Sequence, residues 1–175
     1  MSAKTQILAV DFDHTITYSE VRCFEKDKVL WAMGGVCRTA RMLCLFHDLC
    51  RHGVTIYVVS LNRGDVIGPF LHESGLAPFV SCVYDGERVK ASGSKQLLVR
   101  HLMRTNAVGP TQCLMVDDEP SNIADAPCWS MPVPLKHGID DDIDRLIRAF
   151  FWHTYAVGVA PPAFKMPYHT VTMPF

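Results

Sequence analysis

Apolar, β-branched runs alternate with stretches of helical spacing along most of this chain. The first run, ILAVDFD (7–13), reads as a strand that ends in acidic residues. Residues 36–51 carry apolar side chains at helical spacing (Ala40, Leu43, Cys44 and Phe46 through Cys50), and Gly53 follows as a stop. VTIYVVS (54–60) is a continuous apolar run, the mark of a strand covered on both faces. Residues 65–74 predict a helix that stops at Gly75. FVSCVYD (79–85) predicts a third strand closed by the turn pair Asp85-Gly86. Residues 94–106 predict a helix with Leu98, Leu102 and Met103 on one face. CLMVDD (113–118) predicts a fourth strand. MPVPL (131–135) predicts a short fifth strand, whose prolines favour an edge. Residues 140–153 predict a last helix with an acidic first turn that suits its dipole.

Strand–helix alternation of this kind predicts an α/β fold: a three-layer, doubly wound, Rossmann-like parallel sheet with helices on both faces. Functional groups in such sheets gather at the carboxyl ends of the strands. Two segments stand outside the pattern. Residues 18–35 follow the first strand, and VRCFEKDKVLW within them suggests a small hairpin flap with a charged tip. The segment 154–175 holds four prolines and several aromatics. It is too apolar for a solvated linker and is expected to pack on the core or at a contact with a second subunit. The core domain is therefore assigned to 1–153 and the tail to 154–175.

Composition narrows the class. A chain of 175 residues makes one domain that buries roughly 70% of its unfolded surface without staples. A net charge of −1 gives no basic footprint, so duplex nucleic acid is not expected as a partner. No apolar run reaches membrane-spanning length, and MSAKTQILAV does not read as a signal peptide. Seven cysteines, an odd number without metal-ligand pairing, suggest reduced thiols and a cytoplasmic (intracellular) setting. The Cys37, Cys44 and Cys50 series reads as helix core.

The chemistry lies at the strand ends. Residues two apart on a strand share a face, so the carboxylates of Asp11 and Asp13 can converge beside Thr15. Close carboxylates repel unless a hard cation or a proton compensates. Ser60, Asp117 and Asp118 close two further strands. Lys95 opens a helix, where it opposes the dipole; Lys90, five residues upstream, is its competitor. His14 is expected to face outward from its loop. No histidine or cysteine spacing suits zinc.

This set, in this order, resembles the four motifs of the haloacid dehalogenase (HAD) superfamily, in its capless, magnesium-dependent phosphatase form, over residues 7–135. The resemblance implies that Asp11 is a nucleophile forming an aspartyl-phosphate. It makes Asp13 the general acid and then the base, a residue that the dehalogenase branch does not keep. Ser60 and nearby backbone N–H groups, that of Leu61 among them, would hold a phosphate oxygen, and Lys95 would pair with Asp11 and the phosphoryl group. Asn62 and Arg63 could touch substrate. The implied metal set is Asp11, the carbonyl of Asp13 and Asp118, with Asp117 beside them and Asn122 replacing the family's last aspartate. These hard oxygens suit Mg2+, and Mn2+ would also fit. With no large cap, the site is open; the resemblance implies that such sites serve phosphorylated proteins or other large substrates, or gain a lid from a neighbouring subunit. The expected function is phosphomonoester hydrolysis, with a phosphorylated small molecule or protein as the partner. Phosphotransfer through the same intermediate and a catalytically silent scaffold are the alternatives. A receiver-type switch would need its phosphoacceptor aspartate on a later strand, where Ser60 stands.

Overall fold

A computed structural model describes residues 5–135 and 137–156. Five strands form one sheet: β1 (Gln6–Val10), β2 (Val54–Val59), β3 (Val80–Tyr84), β4 (Cys113–Asp117) and β5 (Trp129–Pro132). All pairings are parallel, in the order β3-β2-β1-β4-β5. The helices are α1 (Val29–Ala32), α2 (Val36–Arg51), α3 (Gly64–Glu73), α4 (Gly86–Ala91), α5 (Lys95–Thr105), α6 (Pro120–Ala124) and α7 (Asp141–Ala156). The sheet is the doubly wound one that the alternation predicts. Among the described residues no single helix is long and apolar enough to cross a membrane.

Period-two alternation splits each central strand between two cores. Leu8, Val10, Ile56, Val58, Leu114 and Val116 face the larger one, with α2, α3 and α7. Ile7, Ala9, Tyr57, Val59, Cys113 and Met115 face the smaller one, with α4 and α5. Burial on both faces explains the continuous apolar runs. Each fully buried large side chain contributes about 1.5–3 kcal/mol, so slipping any central strand by one residue would exchange two complete apolar sets. After β1 the chain winds outward to β2 and β3. It then crosses back to β4 and β5. The neighbours β1 and β4 thus send their following segments in opposite directions, and a crevice opens at their carboxyl ends.

Several expectations are corrected. The fifth strand begins at Trp129, two residues before MPVPL, and ends at Pro132. It does lie at the sheet edge. Residues 18–35 form no hairpin; they contain a 3-10 turn (Lys26–Lys28) and α1. Asp85-Gly86 is a helix start rather than a simple turn, because Asp85 caps α4 by accepting from Arg88 N–H at 3.1 Å. The buried stripe of α2 is Arg38, Thr39, Met42, Leu45, Phe46 and Leu49. Ala40, Cys37 and Cys44 are exposed, so of the cysteine series only half-buried Cys50 packs against the core. All seven cysteines are free. Beyond the three helical positions 154–156, the tail lies outside the described residues.

Candidate active site

The site starts where β1 stops. Asp11 extends the ladder by one bond, its N–H donating to Val116 C=O at 2.9 Å. The chain then closes one wide turn, Phe12–Ile16, with Thr17 N–H returning to Phe12 C=O at 2.9 Å. His14 takes a left-handed φ of +55° inside it, a conformation that costs a non-glycine residue roughly 1 kcal/mol or more. Phe12 pays part of that cost: it is fully buried and meets the Phe70 ring of α3 edge-on, 5.1 Å between centroids. With the aromatic ring driven into the core, the flanking aspartates are left at the crevice. His14 does not face outward: it is half-buried, and its Nδ1 is buried with no hydrogen-bond partner among the described residues.

Lys95 ties the two central strand ends together. Ser94 caps α5 by accepting from Leu97 N–H at 3.2 Å, which sets Lys95 at the first helical position. Lys95 is 4% exposed, and its ammonium lies 2.8 Å from Asp11 Oδ1 and 2.8 Å from Asp117 Oδ2. Burial works against its charge, but the two carboxylates outweigh burial and hold its pKa above the ordinary lysine value. Lys90 is exposed and has no such company.

The acidic groups are crowded. Ligand atoms of Asp11, Asp117 and Asp118 all lie within 4.8 Å of one another. Burial, opposed by Lys95 and reinforced by Asp117, pushes the Asp11 carboxyl up to about 7. Burial and then Asp117 raise Asp118. Asp117 spends both oxygens locally: Oδ2 on Lys95, and Oδ1 on Glu119 N–H (2.9 Å) and the Asn122 amide (3.0 Å). The Thr15 hydroxyl donates to Asp118 Oδ1 at 3.4 Å. This is a hard-oxygen set with more negative charge than one lysine neutralises, and a divalent cation suits it.

Asp13 lies apart from that cluster, half-buried, accepting from Val21 N–H at 2.8 Å and from the Asn62 amide at 2.8 Å. Burial raises its pKa although both hydrogen bonds oppose the rise. Ser60, buried at the end of β2, donates its N–H to Tyr84 C=O at 2.9 Å. The Leu61 side chain is exposed, and its carbonyl is closed in by Gly86, where a Cβ would approach to 2.3 Å. Arg63 turns to the exposed Asp65. Asn62, expected beside substrate, also grips Asp13, which no spacing rule announces. Arg38 escaped the sequence reading, because the apolar spacing of its helix pointed to a face through Ala40, Leu43 and Cys44 instead.

No protein-family model matches the chain, and no curated protein matches it in sequence. Solved structures do match. One is the 3-deoxy-D-manno-octulosonate 8-phosphate phosphatase of Moraxella catarrhalis in complex with a magnesium ion, a phosphate ion and a KDO molecule: 11% identity, 86% of this chain and 87% of that one, TM-score 0.56. A HAD family enzyme of Bacteroides thetaiotaomicron, a magnesium complex, matches at 12% identity over 83% and 99%, TM-score 0.56. The HAD domain of the effector protein Lem4 of Legionella pneumophila matches at 14% identity over 84% and 95%, TM-score 0.57. At such identities the shared property is the fold.

Proposed function

We propose that this chain, which has the fold of HAD-family phosphatases, is a magnesium-dependent phosphomonoester phosphatase working through an aspartyl-phosphate. One observation carries the reading. A buried lysine bridges Asp11 and Asp117 at the switch point of the sheet, with Asp118 beside them and a second aspartate two residues beyond the first. A structural ion pair needs only one carboxylate.

The hydrogen bonds to Asp11 from Phe12 N–H (2.7 Å) and Lys95 both fall on Oδ1. That leaves Oδ2 to attack phosphorus. The Oδ2–P bond forms as the bond to the leaving oxygen breaks, and Asp13 gives that oxygen its proton. In the second half, water attacks phosphorus, its proton passes to Asp13, and Asp11 is released with inorganic phosphate. Proton transfers of this sort contribute about 10²–10⁴-fold. Lys95 stays fixed against developing charge, and Ser60 with the Leu61 backbone N–H holds a phosphate oxygen. Asp11, the Asp13 carbonyl and Asp118 would hold Mg2+, Asp117 lying next to them. When bound, the ion neutralises the crowded carboxylates and the phosphate charge.

Substrate follows from access. Leu61, next to Ser60, is exposed, and the 18–35 flap that meets Asp13 through Val21 carries exposed Trp31. This suits a phosphate presented by a large molecule such as a phosphoprotein. The Moraxella catarrhalis enzyme, a sugar-phosphate phosphatase, keeps small molecules in view. The test is magnesium-dependent hydrolysis of para-nitrophenyl phosphate by wild type, Asp11→Asn and Asp13→Asn. Loss of at least about 10³-fold is expected for Asp11→Asn and about 10²-fold or more for Asp13→Asn. A metal-independent wild type, or an active Asp11→Asn, would overturn the reading. Turnover of small metabolites far above that of any phosphopeptide would remove only the preference for large substrates.

A further inference from the structure

Asn62 makes more directed bonds than a loop residue needs. Its amide donates one proton to Asp13 Oδ2 at 2.8 Å and the other to Val21 C=O at 2.7 Å. Its Oδ1 accepts from Arg63 N–H at 2.7 Å. Its own N–H donates to Ser60 Oγ at 3.2 Å, and its C=O accepts from Gly86 N–H at 2.8 Å. The amide has one sensible orientation. Flipped, its oxygen would face a carboxylate and a carbonyl, and its NH2 would face an N–H.

The partners close a ring. Asp13 Oδ1 accepts from Val21 N–H at 2.8 Å, so the backbone of Val21 is gripped on both sides: its N–H by Asp13 and its C=O by Asn62. The same two side chains bond each other. Three segments meet there, namely the turn after β1, the loop after β2 and the flap. The Val21 side chain is buried at the junction.

We propose that Asn62 is a positioning residue that couples the flap to Asp13, so that seating the flap and aiming the carboxyl group are one event. The proposal rests on the phosphatase reading and adds to it the group that orients the proton donor. A planar amide offers two protons in one plane to a carboxylate and a carbonyl together, while its oxygen still accepts from Arg63 N–H. Aspartate would set a third acceptor against two, and serine has a single proton to give.

An aimed acid matters most when the leaving oxygen is basic. The value of kcat/KM covers the steps through attack on phosphorus, so it should be compared for glycerol phosphate, a poor leaving group, and para-nitrophenyl phosphate, a good one. For Asn62→Ala the expected loss is about 10–100-fold on glycerol phosphate, and at least about tenfold smaller on the aryl ester. Asn62→Asp loses more than Asn62→Ala, and Asn62→Ser, the milder variant should Asn62→Ala not fold, falls between wild type and Asn62→Ala. Hydrogen exchange at the Val21 amide speeds up in each variant while β1 stays protected. Equal losses on both esters, or unchanged exchange at Val21, would sink the proposal. A wild type inactive on both esters, or an active Asp11→Asn, would instead count against the phosphatase reading.

Discussion

Lys95 and Arg38 are both buried cations beside the same turn, and the chain treats them in opposite ways. Lys95 faces two carboxylates, and its pKa is held up. Arg38, 6% exposed, faces backbone oxygens: its guanidinium donates to Ile16 C=O (2.7 Å), Met33 C=O (2.7 Å) and Thr15 C=O (3.0 Å). Burial, then the nearby Arg41, pushes its pKa down to about 10, so it stays charged at neutral pH. Gly138 makes room for it; a Cβ there would come within 2.2 Å of the guanidinium. Carbonyl dipoles can neither titrate nor attack. The fork of Arg38 fixes the turn after β1 to the end of the flap and is finished chemically. Carboxylates can titrate, bind a cation and act as nucleophiles, so the Lys95 region is left with charge still to be matched. One buried cation is matched by backbone dipoles, and the other by carboxylates that the proposed mechanism puts to use.

Exchanging each for methionine gives the widest separation. Lys95→Met is expected to cut hydrolysis by about 10²–10³-fold. Its stability cost grows with pH, since the carboxylates it strands can protonate in acid. Arg38→Met strands buried carbonyls that cannot. It should lower the unfolding free energy by about 3–5 kcal/mol, with under about tenfold loss in turnover per folded molecule. Arg38→Lys recovers little, since one ammonium cannot span the fork. Urea unfolding beside steady-state rates checks both. Catalytic loss in Arg38→Met equal to that in Lys95→Met, without loss of stability, breaks the contrast.

A smaller effect sharpens it. The Asp11 carboxyl sits at about 7 when folded against an ordinary 3.8. The folded protein therefore binds that proton more tightly than the unfolded chain. Between those two values the native state holds more protons, so stability falls as pH rises through the window and levels off above it. Asp13 and Asp118 are raised too and add in the same direction. In metal-free protein the decline is expected to reach a few kcal/mol, to shrink in Asp11→Asn, and to flatten when magnesium favours the ionised forms. Thermal melts across about pH 4–8 with and without magnesium measure it. A slope unchanged in Asp11→Asn would mean that the excess charge lies elsewhere.

The same division explains what the sequence disclosed. β1, β2 and β4 were legible because both faces are buried, which forces unbroken apolar runs and leaves the polar residue after each run conspicuous. Asp11, Ser60, Asp117 and Asp118 stood out at strand ends that way, while Lys95 was singled out by the resemblance, with its odd position at a helix start in support. β5 was misregistered by two residues. It has one neighbour and half-buried side chains, so its run is short, and the prolines of MPVPL drew the reading too far along. The flap was misread as a hairpin because its shape is imposed from outside: Asp13 and Asn62 grip Val21, and Arg38 holds Met33. Contacts of that range leave no periodic trace. α2 buries Arg38 and leaves Cys37 and Cys44 exposed, and the partners of Arg38 are backbone oxygens that any residue supplies, so no side-chain pattern announces them. Asp117 was placed beside a metal; its hydrogen bonds give it, in addition, the task of holding Lys95 and the Asn122 turn.

In the proposed mechanism Asp11, held by Lys95 through one oxygen, takes the phosphoryl group on the other. Asp13→Asn slows release of that group, so it should be incubated with magnesium and a radiolabelled aryl phosphate, quenched in acid and digested. Label on the peptide that carries Asp11, absent from a matched Asp11→Asn/Asp13→Asn protein, is the expected result. Label on any other residue, or turnover with none retained at Asp11, would rule out Asp11 as the nucleophile.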